Sequence, residues 1–265
     1  MEKGIPMKVY IMADMEGIGG ISGADFVLSD RPLYRVGCQY LTADINACVR
    51  GCLKVGATEI VVRDGHGAGR SVLWDQLHPV AQLYQGEAAA GVRFPEIDGA
   101  DAIIFLGYHA MAGTRGALLE HSYSSKSIQN LWLNGEPVGE FALDAAIAAE
   151  YGATAVMVSG DDKVCAEAKA WLPEVVCCEV KKSFGIEGCL LVPRESVDQR
   201  IEHKTMEALT GMMKIPLRRL DGPVTLRKEV MERIRPGEGP GIRVIDGRTV
   251  EATDESVEKV FFRLM

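Results

Sequence analysis

The run Lys8–Ala13 (KVYIMA), followed at once by Asp14–Gly20 (DMEGIGG), decides the fold. A short apolar, β-branched run that ends on an acid and a glycine cluster reads as a buried strand with a loop at its carboxyl end. The same grammar returns three times. Glu59–Arg63 (EIVVR) runs into DGHGAGR, Ala102–Leu106 (AIIFL) into GYHAMAGTRG, and Ala155–Val158 (AVMV) into SGDD. Helical patterns lie between them. Thr42–Val55 places Ile45, Cys48, Val49, Cys52 and Leu53 at spacings of three and four and stops at Gly56, and the Ala-rich Val138–Tyr151 stops at Gly152. Ala81–Tyr84 is a short candidate strand, and Ile128–Leu133 is another that turns at Asn134–Gly135.

Strands alternating with helices at this spacing imply an α/β fold, a mostly parallel sheet with flanking helices in a Rossmann-like three-layer arrangement. After Ser183 the texture changes. Glu195–Leu209 reads as an amphipathic helix, followed by a PGEGPG linker at 236–241, a hairpin over Ile242–Val250 that turns at Asp246–Gly247, and a final helix to Met265. The expected organisation is a larger α/β domain over 1–182 and a smaller C-terminal α+β lobe over 183–265.

The chain has 265 residues, with 29 Lys and Arg against 37 Asp and Glu, a formal net charge of −8. That balance excludes a general binder of phosphate backbones, so nucleic acid is not an expected partner. Hydrophobic residues at 47% and charged residues at 25% exclude disorder as the main theme. The apolar stretch Val9–Ala13 is too short for a signal-peptide core, and no apolar run reaches membrane-spanning length, so no membrane partner is expected. Seven cysteines form no CxxC pair. Cys48 and Cys52 share a helix face and read as buried thiols, while Cys177 and Cys178 point to opposite faces of a strand. The expected location is the reducing cytoplasm.

In open α/β sheets ligands gather beyond the carboxyl ends of the strands. Here Asp14 and Glu16 follow the first strand, Asp64 and His66 the second, and His109 the third. Two carboxylates spaced two apart converge on one spot in extended chain, and like charges held together call for a cation or a shared proton. Each residue alone has an ordinary structural explanation: solvated loop acids, a turn histidine at 66, a satisfied buried histidine at 109, and a dipole-favoured helix-start glutamate at 140. His121 lies in LLEHSYSS without a nucleophile-elbow motif, and His78 and His203 read as background.

Taken in order, ADMEGIGG, DGH, FLGYHA, the HS at His121 and NGEPVGE before an Ala-rich helix resemble the M55 metallopeptidase family, the D-aminopeptidases of the dipeptide-transport operon type. The motif resemblance runs from about Met7 to about Lys163 and is weak beyond Ser183. One departure is Met12, two residues before the aspartate, where the family often has serine. The resemblance implies two Zn²⁺ ions per subunit held by Asp14, Glu16, His66, His109 and Glu140, with His121 as the catalytic histidine. It also implies a short-peptide substrate and a ring-like homo-oligomer, a decamer among the expected sizes. An oxygen- and nitrogen-rich, thiolate-free donor set suits Zn²⁺, Mn²⁺ or Co²⁺ at an open catalytic site. Asp64 is a weaker candidate, as a pocket acid for the substrate amino group.

The expected activity is zinc-dependent aminopeptidase hydrolysis of short peptides or aminoacyl amides, D-residues included. Two other readings stay open on the residues alone. One is a metal-dependent amidohydrolase or phosphoesterase on a small non-peptide substrate, which Arg63, Arg70 and Arg115 keep alive. The other is a non-catalytic, metal-stabilised oligomeric binding protein.

Overall fold

The computed structural model describes residues 6–233 and 239–265, so the first half of the PGEGPG linker lies outside the described residues. In chain order the main elements are β1 (Lys8–Ala13), α1 (Tyr34–Lys54), β2 (Glu59–Asp64), β3 (Gln82–Tyr84), β4 (Ala102–Tyr108), β5 (Ile128–Leu133) and β6 (Glu136–Pro137). They continue with α2 (Glu140–Glu150), β7 (Thr154–Asp161), α3 (Asp162–Trp171), β8 (Val176–Ser183), β9 (Cys189–Leu191) and α4 (Arg194–Thr210). The chain closes with β10 (Val224–Val230), β11 (Ile242–Val244), β12 (Thr249–Asp254) and α5 (Val257–Leu264).

The larger sheet has the order β3-β2-β1-β4-β7-β8-β9 and is parallel except for β9, which runs antiparallel to β8. Its central strands are buried on both faces, which is why they read as continuous apolar runs. Register sets the function of the sheet. Ala13 pairs with Asp64 of β2 and with Leu106 of β4. The segments that follow Ala13, Asp64 and Leu106 therefore reach the carboxyl edge of three adjacent strands at nearly the same level.

Helices cover both faces. Phe105 of β4 meets Phe141 of α2 with ring centroids 5.3 Å apart. Met157, paired with Ile104 and so on the opposite face, meets Thr205 of α4, and Thr205 also reaches Cys48 of α1. This is the expected three-layer α/β arrangement. Helix α1 begins eight residues before the expected Thr42, because its first two turns also bury Gly37, Cys38 and Leu41 against the core. Gly37 interrupts the apolar pattern there, and a side chain at that position would strike the Phe26 carbonyl.

The smaller, antiparallel sheet has the order β11-β12-β10-β5-β6. It draws β5 and β6 from well before residue 183, while β9 joins the larger sheet from beyond it and α4 packs on α1. The separation of the two sheets thus does not follow a single cut in sequence at 182/183. All seven cysteines are unpaired. Among the described residues no helix is long and apolar enough to cross a membrane.

Candidate metal centre

The six residues singled out by motif meet at the carboxyl edge of β1, β2 and β4. Asp14 ends β1, its amide donating to the Leu106 carbonyl at 2.8 Å, and the chain then folds back so that the Gly17 amide donates to the Gly107 carbonyl at 2.7 Å. Glycine is required at both contact points. A side chain at Gly17 would run into the Tyr108 carbonyl, and one at Gly107, whose φ is +76°, into the Asp14 carbonyl. The loops after β1 and β4 are therefore in backbone contact beneath the carboxylates.

Asp14 turns its two oxygens to different histidines. Oδ1 lies 3.2 Å from Nδ1 of His66, and Oδ2 lies 3.4 Å from Nε2 of His109. Glu16 Oε2 stands 3.1 Å from the same His66 nitrogen. Glu140, the first residue of α2, brings Oε1 to 3.3 Å from His109 Nε2 and 3.7 Å from His121 Nε2. The rings of His109 and His121 stack at 3.9 Å between centroids, 13° from parallel.

Main-chain carbonyls fix the orientation of each imidazole, because a carbonyl can only accept. His66 Nε2 donates to the Val27 carbonyl at 2.8 Å, His109 Nδ1 to Ala110 at 3.1 Å, and His121 Nδ1 to Leu119 at 2.9 Å. In each ring the remaining nitrogen is left facing the cluster. His109 Nε2 is wholly buried and has no hydrogen-bond partner among the described residues, although it stands between two carboxylate oxygens. A neutral imidazole there would aim a lone pair at two anions, so the position demands a proton or a cation.

Protonation follows the same logic. Burial disfavours the charged form of His66 and His109, but the surrounding carboxylates outweigh it, pushing His66 up to about 12 and His109 up to about 10. Burial likewise opposes ionisation of Asp14 and Glu140, yet the imidazoles beside them hold both carboxyls below their usual range. The cluster keeps Asp14 and Glu140 ionised and needs positive charge at the imidazole nitrogens. Divalent metal ions would supply it in place of protons. His109, His121 and Glu140 form one group of donor atoms within 4.8 Å of one another, and Asp14, Glu16 and His109 form another. This donor set fits divalent zinc.

Asp64, the weaker candidate for a pocket acid, lines a cavity beside the cluster, and its Oδ1 is buried without a hydrogen-bond partner among the described residues. Its Oδ2 accepts the amides of Ser71 at 2.5 Å and Val72 at 2.7 Å, so it pins the loop after His66. Met12, at the departure from the family pattern, is buried and packs on Gly65.

Three supporting groups escaped the sequence reading. The Tyr123 amide donates to Glu140 Oε1 at 2.6 Å. Glu167 accepts the Met111 amide at 2.8 Å, and burial pushes its carboxyl up to about 7. Lys181, fully buried on β8, donates to the carbonyls of Glu16 (2.5 Å), Ile18 (2.9 Å) and Ile21 (3.0 Å). Nothing in the β8 sequence VCCEVKKS, where Lys181 stands beside the exposed Lys182, signals the last of these.

The sequence matches the family model described as "D-aminopeptidase", of the M55 peptidases, over residues 7–265, well past Ser183 where the motif resemblance faded. A D-aminopeptidase of Bacillus subtilis (strain 168) is 33% identical over 223 residues, which cover 82% of this chain and 80% of the relative. The solved structure of the Zn-dependent D-aminopeptidase DppA from Bacillus subtilis, described as a self-compartmentalizing protease, superposes with a TM-score of 0.90 at 29% identity. That superposition covers 97% of this chain and 96% of the DppA chain. On the extent of these matches, the chain belongs to the M55 peptidase family.

Proposed function

We propose that this protein is a zinc-dependent aminopeptidase that removes N-terminal residues from short peptides or aminoacyl amides. D-aminoacyl substrates come first, because both relatives are D-aminopeptidases. The observation that carries the reading is the buried, unpartnered Nε2 of His109 between Asp14 and Glu140, with the second oxygen of Asp14 turned to His66.

In this reading Asp14, Glu16, His66, His109 and Glu140 would hold two zinc ions, Asp14 facing both halves of the cluster through its two oxygens. Bound zinc supplies Lewis acidity, polarising the scissile carbonyl and acidifying water. The chain's own groups do the rest. The Val27 and Ala110 carbonyls fix the tautomers of His66 and His109, and the Tyr123 amide steadies Glu140. His121 is the most open of the three clustered imidazoles, and its Nδ1–H is committed to Leu119. Its Nε2 is thus the atom that takes a proton and delivers it to the leaving amine.

The assembly that goes with this reading is a ring-like homo-oligomer, a decamer among the expected sizes, located in the cytoplasm. DppA, as a self-compartmentalizing protease, supports oligomerisation.

The test is hydrolysis of D- and L-aminoacyl amides and dipeptides, with p-nitrophenyl phosphate alongside, before and after chelation and with Zn²⁺ restored. Zinc-dependent cleavage of the peptide-type substrates alone is expected. Cleavage of the phosphate ester alone, or chelator-resistant turnover, would overturn the reading.

A further inference from the structure

Beside the candidate metal centre lies a cavity of ≈ 520 Å³, walled by the DGHGAGR loop, the Gly86–Arg93 segment and the end of α5. Arg63, the residue before Asp64 on β2, opens onto it with 8% of its surface exposed. Its Nε and Nη1 are buried and have no acceptor among the described residues. The guanidinium lies over the Tyr84 ring at 5.4 Å, which orients it without neutralising it.

The second arginine on this cavity makes the contrast plain. Arg93 is met by Asp144 through both oxygens, at 2.8 and 2.7 Å. Asp144 also accepts from the hydroxyls of Tyr108 at 2.7 Å and Tyr123 at 2.9 Å, so no lone pair is left for Arg63. A buried cation whose neighbouring carboxylate is committed to other donors is costly, and it persists where an anion meets it. The wall itself suits a ligand, since Gly67, Gly86 and Gly91 face open space where side chains would otherwise stand. Both sides of the cavity are tied to the metal cluster. Arg63 stands three residues before His66 on one strand and loop, and Tyr123, which holds Asp144 through its hydroxyl, holds Glu140 through its amide.

We propose that this cavity is a carboxylate subsite in which Arg63 receives the free C-terminal carboxylate of a short peptide. The inference rests on the aminopeptidase reading above and deepens it. A planar guanidinium fork matches a carboxylate through two parallel hydrogen bonds, and a peptide whose far end is an α-carboxylate must be short for that end to fall beside the metals.

The experiment compares D-Ala-D-Ala with its C-terminal amide in the zinc-loaded protein, for wild type and Arg63→Gln. The variant should raise KM for the free acid about 10–100-fold and change the amide by less than about 3-fold. In parallel, acetate should raise the Tm of wild type above that in chloride at equal ionic strength, and Arg63→Gln should abolish that rise. Equal losses on acid and amide, or an equal acetate response in both proteins, would overturn the subsite. An Arg63-dependent rise with inorganic phosphate but not acetate would overturn its assignment to a carboxylate. If wild type cleaves neither substrate, the aminopeptidase reading fails, and the acetate arm still decides the site. Should Arg63→Gln not fold, Arg63→Lys keeps the charge and loses the fork. It should lower the acid-to-amide preference, and an unchanged preference would refute the role.

Discussion

The two sheets use their charged residues in opposite ways. At the carboxyl edge of the parallel sheet, Asp14, Glu16, Glu140 and the His109 imidazole are buried together, with the half-buried His66 and His121 beside them, and neutral imidazoles would leave the three acids uncompensated. On the antiparallel sheet, Glu251 also sits between two cationic side chains, Arg227 and Arg243, but those guanidiniums reach it from the solvent side. The second arrangement is complete as it stands and costs little. The first is held together by packing and backbone contacts against its own repulsion, and it becomes stable only with added positive charge. Charge near charge is thus uninformative until burial and the unpaired remainder are known.

The sharpest way to break the contrast is to remove a donor from the parallel edge. His109→Ala or Glu140→Ala should lower zinc retention by more than the roughly 10–100-fold that loss of an outer partner costs, and hydrolysis should fall with it. Elemental analysis after dialysis and initial rates on a D-aminoacyl amide check this, and full metal content with full activity would remove the ligand assignment. His121→Ala should lower kcat about 10²–10⁴-fold while zinc content stays at the wild-type level. A parallel loss of metal would instead make His121 part of the binding set.

The pH response of the metal-stripped protein separates the regions further. His66 and His109 are raised to about 12 and about 10, above the unfolded value near 6.5, so their protonation stabilises the folded state fully below about pH 6.5. That contribution is lost as pH rises through 10 and towards 12. The Tm of stripped protein should therefore fall across this alkaline range more steeply than that of zinc-loaded protein, where metal replaces the protons. Parallel Tm curves would contradict the arrangement. The smallest effect belongs to the antiparallel sheet. Glu251→Gln should cost about 1 kcal/mol or less in chemical denaturation and leave activity unchanged.

Much of the site was legible because parallel sheets put loop residues where strand order dictates. Once KVYIMA, EIVVR and AIIFL are read as neighbouring strands, Asp14, His66 and His109 have to emerge along one edge. Glu140 could be reached only through motif resemblance, since a glutamate opening a helix has an ordinary electrostatic reason to be there. Ile128–Leu133 was legible as a strand but not as part of a second sheet, because its partner β10 lies about a hundred residues away and alternation does not name partners. Lys181 was invisible, and Arg63 legible only as a generic cation, for a related reason. Their meaning lies in which carbonyls or anions surround them, and a lysine or arginine in sequence is ordinarily solvated.

The backbone contact of Gly17 with Gly107, together with the Lys181 ammonium gathering the Glu16, Ile18 and Ile21 carbonyls, means that the loop bearing Asp14 and Glu16 has spent its conformational freedom during folding. An arriving ion has little left to organise. Entropy that a floppy loop would surrender at each capture has already been surrendered once, so ion capture should proceed at encounter-like rates, and selectivity among cations should rest on the spacing of a rigid cage.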